Sequence, residues 1–262
     1  RVQPGLHVTF INHSTVLVQI DGFNVLTDPI YSERASPFSW AGPSRYHAPG
    51  IAFDDLPPID AVVLSHNHYD HFDVPTLRRL ASRDGPTLIG GLGSKALLAE
   101  EDVPGGEDLD WWETTRVGPL KIHAVPAQHW SRRGIGDTRN TLWAGYVIEG
   151  PSAAVYFAGD TAWGPHFDQV RERFASIDVA LLPVGAYKPR DFMRSSHISP
   201  WEAVDAAVVL GAKVSIPIHW GTFDLGLDGP TEGLEAVASY LSIIESPPLF
   251  EVLQPGQSYI LN

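Results

Sequence analysis

The sequence predicts an α/β fold in which two mixed β-sheets pack face to face with helices outside. Three observations predict it. The N-terminal part reads as a meander of short β-rich runs joined by hairpin signals. The later part alternates apolar strand-like runs with helix signals, the pattern of a layered sheet-and-helix domain. Prolines and glycines are spread throughout, with no low-complexity linker and no charge block, which predicts a single domain over residues 1–262.

In chain order, residues 8–11 and 16–20 are strands, Asp21-Gly22 is a hairpin turn signal, and 24–27 pairs back. Residues 29–58 form a Pro/Ser/aromatic loop whose length predicts a functional lid or wall rather than a connector. Residues 59–64 are an apolar run rich in β-branched residues and follow the turn signal Pro57-Pro58, so they read as a buried strand. A helix over 74–82, a strand over 87–89 and a helix over 94–101 follow. Strands are predicted at 120–125, 142–148 and 153–157, a helix at 167–174, and an apolar strand at 179–183. Ser199-Pro200-Trp201-Glu202 is a capping box with Pro at the first helical position. It opens a helix to Leu210, with Trp201, Val204 and Val208 at helical spacing on one face. A strand at 214–218, a helix at 231–241 and a strand at 258–261 complete the chain.

Of the 262 residues, 44% are hydrophobic and 19% charged, enough for one large core or two intimate halves. No apolar run reaches the roughly 18–20 residues that span a bilayer, and no signal-peptide pattern is visible. Residue 1 is Arg rather than Met, so an upstream segment is expected to have been removed or left out. There are no cysteines, which excludes disulfides, thiolate–zinc sites and cysteine nucleophiles. That leaves the compartment open: a soluble or peripheral protein of bacterial cytoplasm or periplasm fits equally. The net charge of −13 opposes binding to nucleic acid and adsorption to an anionic membrane by charge alone. Tyr187-Lys188-Pro189-Arg190-Asp191-Phe192-Met193-Arg194 is the best local basic patch, and equally a solvated loop.

The chemistry concentrates in Ser65-His66-Asn67-His68-Tyr69-Asp70-His71. Side chains two apart in an extended segment point the same way, so His66, His68 and Asp70 can converge while His71 reaches round from the following turn. Imidazole nitrogen and carboxylate oxygen are ligand types that Zn²⁺ accepts. The spacing differs from a helical His-Glu-x-x-His site. It also offers one ligand more than a single catalytic zinc needs, which points to two metals. His129, Asp160 and His219 each lie just past an apolar strand, and strand ends along one sheet edge converge where ligands bind in α/β folds.

With Gly159-Asp160-Thr161, this set resembles the metallo-β-lactamase-fold hydrolases. Further blocks resemble N-acylphosphatidylethanolamine-hydrolysing phospholipase D and its bacterial relatives. They include Thr27-Asp28-Pro29-Ile30, Arg34-Ala35-Ser36-Pro37, Trp111-Trp112-Glu113, Gln128-His129-Trp130, Gly185-Ala186-Tyr187 and His219-Trp220-Gly221-Thr222-Phe223. The resemblance runs from about residue 11 to residue 261. It implies a four-layer αββα sandwich and two zinc ions, one on His66, His68 and His129, the other on Asp70, His71 and His219, with Asp160 bridging. Iron and manganese suit the same donors. It implies cleavage of a phosphodiester by a metal-bridging hydroxide, giving phosphatidic acid and an N-acylethanolamine. A lactone or β-lactam is the alternative bond for the same centre. The resemblance also implies a small-molecule or lipid substrate, and is compatible with peripheral membrane contact and a homodimer. A nucleic-acid-processing or non-catalytic member is disfavoured by the charge and by the complete ligand set.

Asp28 is a candidate to orient a ligand histidine, or a turn-initiating Asp before Pro29. His197 has a counterpart near the substrate in the resembled family, so it is expected to touch substrate or donate a proton; a buried structural His is the alternative. Tyr69, Tyr187, Lys188, Arg190 and Arg194 are candidate substrate-binding residues. Gly91-Leu92-Gly93-Ser94-Lys95-Ala96 superficially matches a dinucleotide fingerprint, but a tight strand–helix turn needs the same glycines. Asn12-His13-Ser14 is a glycosylation sequon by pattern only. His7, His13, His47, His123 and His166 lack ligand-like settings and are expected to be structural. Among eight Trp, Trp40, Trp111, Trp112 and Trp163 are candidate walls of an apolar channel.

Overall fold

The computed structural model describes residues 5–261; residues 1–4 and 262 of the predicted domain lie outside them. Strands β1 (Leu6–Asn12), β2 (Thr15–Ile20) and β3 (Phe23–Thr27) form the meander, with Asp21 and Gly22 at φ 48° and 85° in its tight turn. Two positive φ values are what a two-residue hairpin turn requires. After the long loop, which holds only a 3-10 turn at Phe53–Asp55, come β4 (Ala61–Leu64), α1 (Val74–Arg83), β5 (Thr87–Gly91), α2 (Ser94–Glu100) and β6 (Gly106–Leu109). The second half holds β7 (Thr114–Val117), β8 (Leu120–Val125), β9 (Gly145–Glu149), β10 (Ala154–Phe157), α3 (His166–Arg173) and β11 (Val179–Pro183). It ends with α4 (Arg190–Met193), α5 (Pro200–Leu210), β12 (Val214–Ile218), α6 (Glu232–Leu241) and β13 (Ser258–Leu261).

The strands make two mixed sheets, ordered β13-β1-β2-β3-β4-β5-β6 and β12-β11-β10-β9-β8-β7. Alternation along each strand shows why they stack. In β4, Ala61 and Val63 join the core shared by both sheets, together with Phe10, Val18, Ile122, Tyr146 and Phe157. The intervening Val62 and Leu64 pack with Leu77 and Leu80 of α1. A strand buried on both faces reads as a continuous apolar run, the pattern that made residues 59–64 conspicuous.

Two strands, β6 and β7, are not among those expected, and two expectations need correction. β6 and β7 carry no apolar run and lie at sheet edges, where polar residues are favoured, so their sequence signal is weak. The strand expected at 142–148 begins only at Gly145, because Leu142 and Ala144 donate their N–H groups to Leu92 and Ser65 carbonyls at 2.8 and 2.9 Å. In α5, Trp201 and Val208 face outward; its buried face is Ala203, Val204, Ala206, Ala207 and Leu210. The capping box forms as expected, with both Ser199–Glu202 bonds present. No helix among the described residues is long and apolar enough to cross a membrane.

His166 opens α3, buried, with Nε2 3.1 Å from Thr161 Oγ1. Burial pushes its pKa down to about 4. As pH falls below the unfolded value of about 6.5, the unfolded chain takes up a proton that the folded chain refuses. This contribution to stability is therefore full above that value and lost between it and about pH 4, by up to about 3 kcal/mol. Urea melts from pH 7 to 4 should show His166→Gln losing less stability than the parent; equal losses would refute the assignment.

Candidate metal centre

The parallel strands β3, β4 and β5 of one sheet, and β10, β11 and β12 of the other, carry their C-terminal ends in common directions. The loop after β4 brings His66, His68, Asp70 and His71, while the ends of β8, β10 and β12 bring His129, Asp160 and His219. His71 turns inward because its N–H and that of Phe72 both bond the His68 carbonyl, at 3.1 and 2.8 Å. Asp28, at the end of β3, accepts from the Ser65 N–H at 2.7 Å and the Ser65 hydroxyl at 2.5 Å, and from His71 Nδ1 at 2.6 Å. It thereby aims His71 Nε2 at the site. Arg133 clamps the same loop from outside. Its guanidinium donates to the Asn67 and Phe72 carbonyls, both at 2.9 Å, and lies 4.0 Å from the Tyr69 ring. A lone Arg in a loop carries no sequence signal for that role.

Two donor groups result. His66 Nε2 lies 2.8 Å from His68 Nδ1, and His129 Nε2 lies 3.3 Å from the same atom. Asp70 Oδ2 lies 3.1 Å from His71 Nε2 and 3.4 Å from His219 Nε2. Asp160 stands between the groups. Its Oδ2 is 3.2 Å from both His71 and His219 Nε2, 3.9 Å from His129 Nε2 and 4.0 Å from His66 Nε2. The outer nitrogens are fixed from behind: His129 Nδ1 by the Ser196 carbonyl at 2.8 Å and His66 Nδ1 by Ser65 Oγ at 2.9 Å.

These residues fit a pair of cations. Metal–nitrogen bonds of about 2.0–2.1 Å in a tetrahedral ion set its nitrogens roughly 3.3 Å apart, close to the spacings of the first group. Asp160 Oδ1 is buried without a hydrogen-bond partner, and His71 Nε2 and His219 Nε2, though ion-paired at 3.2 Å with Asp160 Oδ2, lack a well-aligned hydrogen bond. Such atoms are costly unless something satisfies them, and a cation does. Charge divides the groups. Burial, reinforced by neighbouring imidazoles, holds His66 and His129 well below the usual range, so their lone pairs are free. Burial opposes charge on His71 and His219 too, but the Asp160 and Asp70 carboxylates outweigh it; His71 is held well above the usual range and His219 rises to about 9. A cation entering the second group therefore displaces protons.

His13 is the residue sequence reasoning misplaced. Expected to be merely structural, it lies in the β1–β2 turn, buried, with Nε2 2.9 Å from Asp70 Oδ2 and its ring centroid 4.1 Å from that of His219. Only its turn position was legible, and a turn inside a hairpin is no strand end.

A cavity of about 700 Å³ opens over the centre, walled by Trp130, Phe192, Met193 and Leu225 and reached by Tyr69, His197 and Arg139. His197 Nδ1 is buried, unpartnered and 3.8 Å from Asp160 Oδ2. Tyr69 lines the cavity, but its hydroxyl already donates to the Arg133 carbonyl at 3.0 Å. The expected substrate cations are placed elsewhere. Lys188 pairs with Glu232, which also accepts from the hydroxyl of buried Tyr187. Arg190 donates to Glu202 at 2.5 Å and to the His197 carbonyl at 2.6 Å, so it braces His197. Arg194 is exposed and not on the cavity wall. Arg139 lies on that wall, exposed, with no side-chain hydrogen bond or ion pair among the described residues. None of Trp40, Trp111, Trp112 and Trp163 lines the cavity: Trp40 lies tilted against Phe38, Trp111 meets Trp143 edge to face, Trp112 lies under Arg173, and Trp163 lies tilted against Phe167. At the glycine-rich turn before α2, Asp108 accepts the Gly93 and Lys95 N–H groups at 2.9 and 2.7 Å, where a pyrophosphate would have to sit.

The model of the β-lactamase superfamily domain matches residues 23–220. An N-acyl-phosphatidylethanolamine-hydrolyzing phospholipase D of Caenorhabditis elegans is 37% identical over 236 residues, covering 86% of this chain and 66% of that protein. The chain thus spans about two thirds of that relative's length. A metal-dependent hydrolase of Methanopyrus kandleri is 30% identical over 257 residues, covering 97% of this chain and 99% of that one. Among solved structures, a metallo hydrolase of Ignicoccus hospitalis superposes with a TM-score of 0.73 at 23% identity, over 98% of both chains. The two stacked mixed sheets with outer helices are the metallo-β-lactamase fold.

Proposed function

This chain belongs to the β-lactamase superfamily as a metal-dependent hydrolase, and we propose on that premise that it cleaves phosphodiesters of N-acylphosphatidylethanolamine-like lipids at a two-zinc centre. One observation carries the reading: two donor groups share Asp160 at the floor of an apolar-walled cavity that holds one unpaired Arg. His66, His68 and His129 would hold one cation and Asp70, His71 and His219 the other. When bound, such a pair activates water near neutral pH and neutralises charge on a phosphoryl group and its leaving oxygen.

The chain's own residues supply the rest. Burial lowers the His197 pKa to about 4, so at neutral pH its unpartnered Nδ1 offers the substrate a neutral imidazole, braced by Arg190. Trp130, Phe192, Met193 and Leu225 give the cavity an apolar wall that suits an acyl chain. Phe192 is both wall and surface, and Phe38 and Trp40 protrude from the loop that contributes Ala35 to the cavity. These exposed aromatics favour access from a lipid surface by apolar contact, since the net charge opposes electrostatic adsorption.

Arg139 is placed to dock the diester anion. An exposed charge-assisted contact is worth about 1 kcal/mol after solvent screening, or roughly fivefold in binding. Arg139→Gln should therefore raise KM for the diester about fivefold, with kcat little changed and neutral lactones unaffected. The whole reading is tested by counting metals in the purified protein and comparing kcat/KM for an N-acylphosphatidylethanolamine, a lactone and a β-lactam. Two zinc ions with preferred diester cleavage support it; a preferred lactone or β-lactam sinks the substrate assignment.

A further inference from the structure

We propose that His13 is a positioning residue: it fixes the Asp70 carboxylate and thereby sets the affinity of the second cation site without ligating a cation itself. The inference rests on the two-site reading above and goes beyond it.

Asp70 depends on imidazoles alone. Among the described residues its side-chain partners are His13, His71 and His219, with no backbone N–H and no Lys or Arg. Its Oδ2 lies 2.9 Å from His13 Nε2, closer than to either of the others. If His71 and His219 turn their Nε2 atoms to a cation, His13 is the one remaining group that can hold the carboxylate's orientation. A ligating carboxylate needs such a partner to keep its angle and its basicity.

His13 stands within one cluster with Asp70, His71 and His219, but its ring nitrogen meets that cluster at Asp70 and does not reach Asp160. Asp160 Oδ2 has ring nitrogens of His66, His71, His129, His197 and His219 within 4.0 Å, whereas among the described residues the only carboxylate within that distance of His13 is Asp70. A group that does not approach the shared carboxylate is poorly placed to join the pair of sites around it.

The backbone of His13 is held as firmly as its ring. Its N–H donates to Thr222 Oγ1 at 2.8 Å, and its carbonyl accepts the His219 N–H at 2.8 Å. Its φ of 47° is a left-handed conformation that a non-glycine residue keeps only where its surroundings over-determine it. The β1–β2 turn of one sheet is thus tied to the residue that follows β12 of the other. One residue couples the position of His219 to that of Asp70, two donors of the same proposed site.

The test uses two variants and the full chain. His13→Asn tolerates the left-handed backbone but is too short to reach Asp70; His13→Gln can place an amide N–H near the position of Nε2. Zinc stoichiometry and affinity are measured by equilibrium dialysis in zinc buffers, with thermal melting of the metal-free proteins alongside. We expect wild type to bind two zinc ions. His13→Asn should keep the first and bind the second roughly 10–100-fold more weakly. His13→Gln should recover most of that loss, and all three metal-free proteins should melt alike. Equal loss of the second zinc in both variants would make His13 a ligand and overturn the proposal. Unchanged binding in His13→Asn, or a loss matched by a fall in metal-free melting temperature, would overturn it too. One zinc in wild type would instead refute the two-site reading.

Discussion

Replacing Asp160 by Asn should remove at least about 10³-fold of kcat/KM and lower bound zinc from two ions to one or none, measured by turnover in excess zinc and by metal content after dialysis. The substitution preserves size, so the effect isolates charge. Asp160 is the carboxylate whose Oδ2 lies within 4.0 Å of nitrogens from both donor groups. Its Oδ1 is buried and unpartnered. Around it stand His71 and His219, whose positive charge is held in place by Asp160 and Asp70 against the cost of burial. The same interactions keep Asp160 ionised: burial disfavours its charge, but His219 and His71 hold its pKa well below the usual carboxylate range. An amide in this position leaves two cations to share one fewer anion in a site that excludes water. Loss of an outer partner of a ligand typically costs 10–100-fold in metal affinity or activity, and a shared ligand should exceed that. A variant that binds two zinc ions and turns over within tenfold of the parent would remove Asp160 from the centre.

Asp28→Asn should cost about 3–5 kcal/mol of folding stability and weaken the second zinc roughly 10–100-fold. Asp28 is fully buried and collects three donors: the Ser65 N–H, the Ser65 hydroxyl and His71 Nδ1. A carboxylate can accept all three. An amide offers one oxygen and turns its NH₂ towards a donor, leaving buried donors unsatisfied at about 1–3 kcal/mol each. The damage reaches the site through His71, whose Nε2 is aimed by the bond at Nδ1. Urea unfolding of the metal-free protein and zinc titration separate the two effects. If stability falls while the second zinc binds normally, Asp28 supports the fold but does not orient His71.

The fold was legible wherever burial left a mark in the sequence, as a period or as an unbroken apolar run. Residues 59–64 and 179–183 read as strands because both faces are buried. The α5 cap was legible because Ser199 and Glu202 satisfy each other locally. β6 and β7 were not legible, since polar edge strands owe their conformation to the neighbour they pair with. The position of the candidate centre was legible for a related reason: each donor follows a run whose burial the sequence advertises. Trp201 misled because spacing identifies a helix face without saying which face the protein covers.

The sequence by itself determined donor types and local geometry. It supplied histidines and carboxylates at strand ends, a hairpin turn, a capped helix, and an acidic chain without thiols. The tertiary structure alone decided which of those groups meet and which charges remain free. Lys188 finds Glu232, 44 residues away, and Arg190 finds Glu202, so neither is free to dock an anion, whereas Arg139 is. His13 finds Asp70 across 57 residues and Thr222 across 209. Periodicity and capping act over a few residues and leave a mark in the sequence. Pairing between distant side chains is set by how the sheets stack, which no local pattern records.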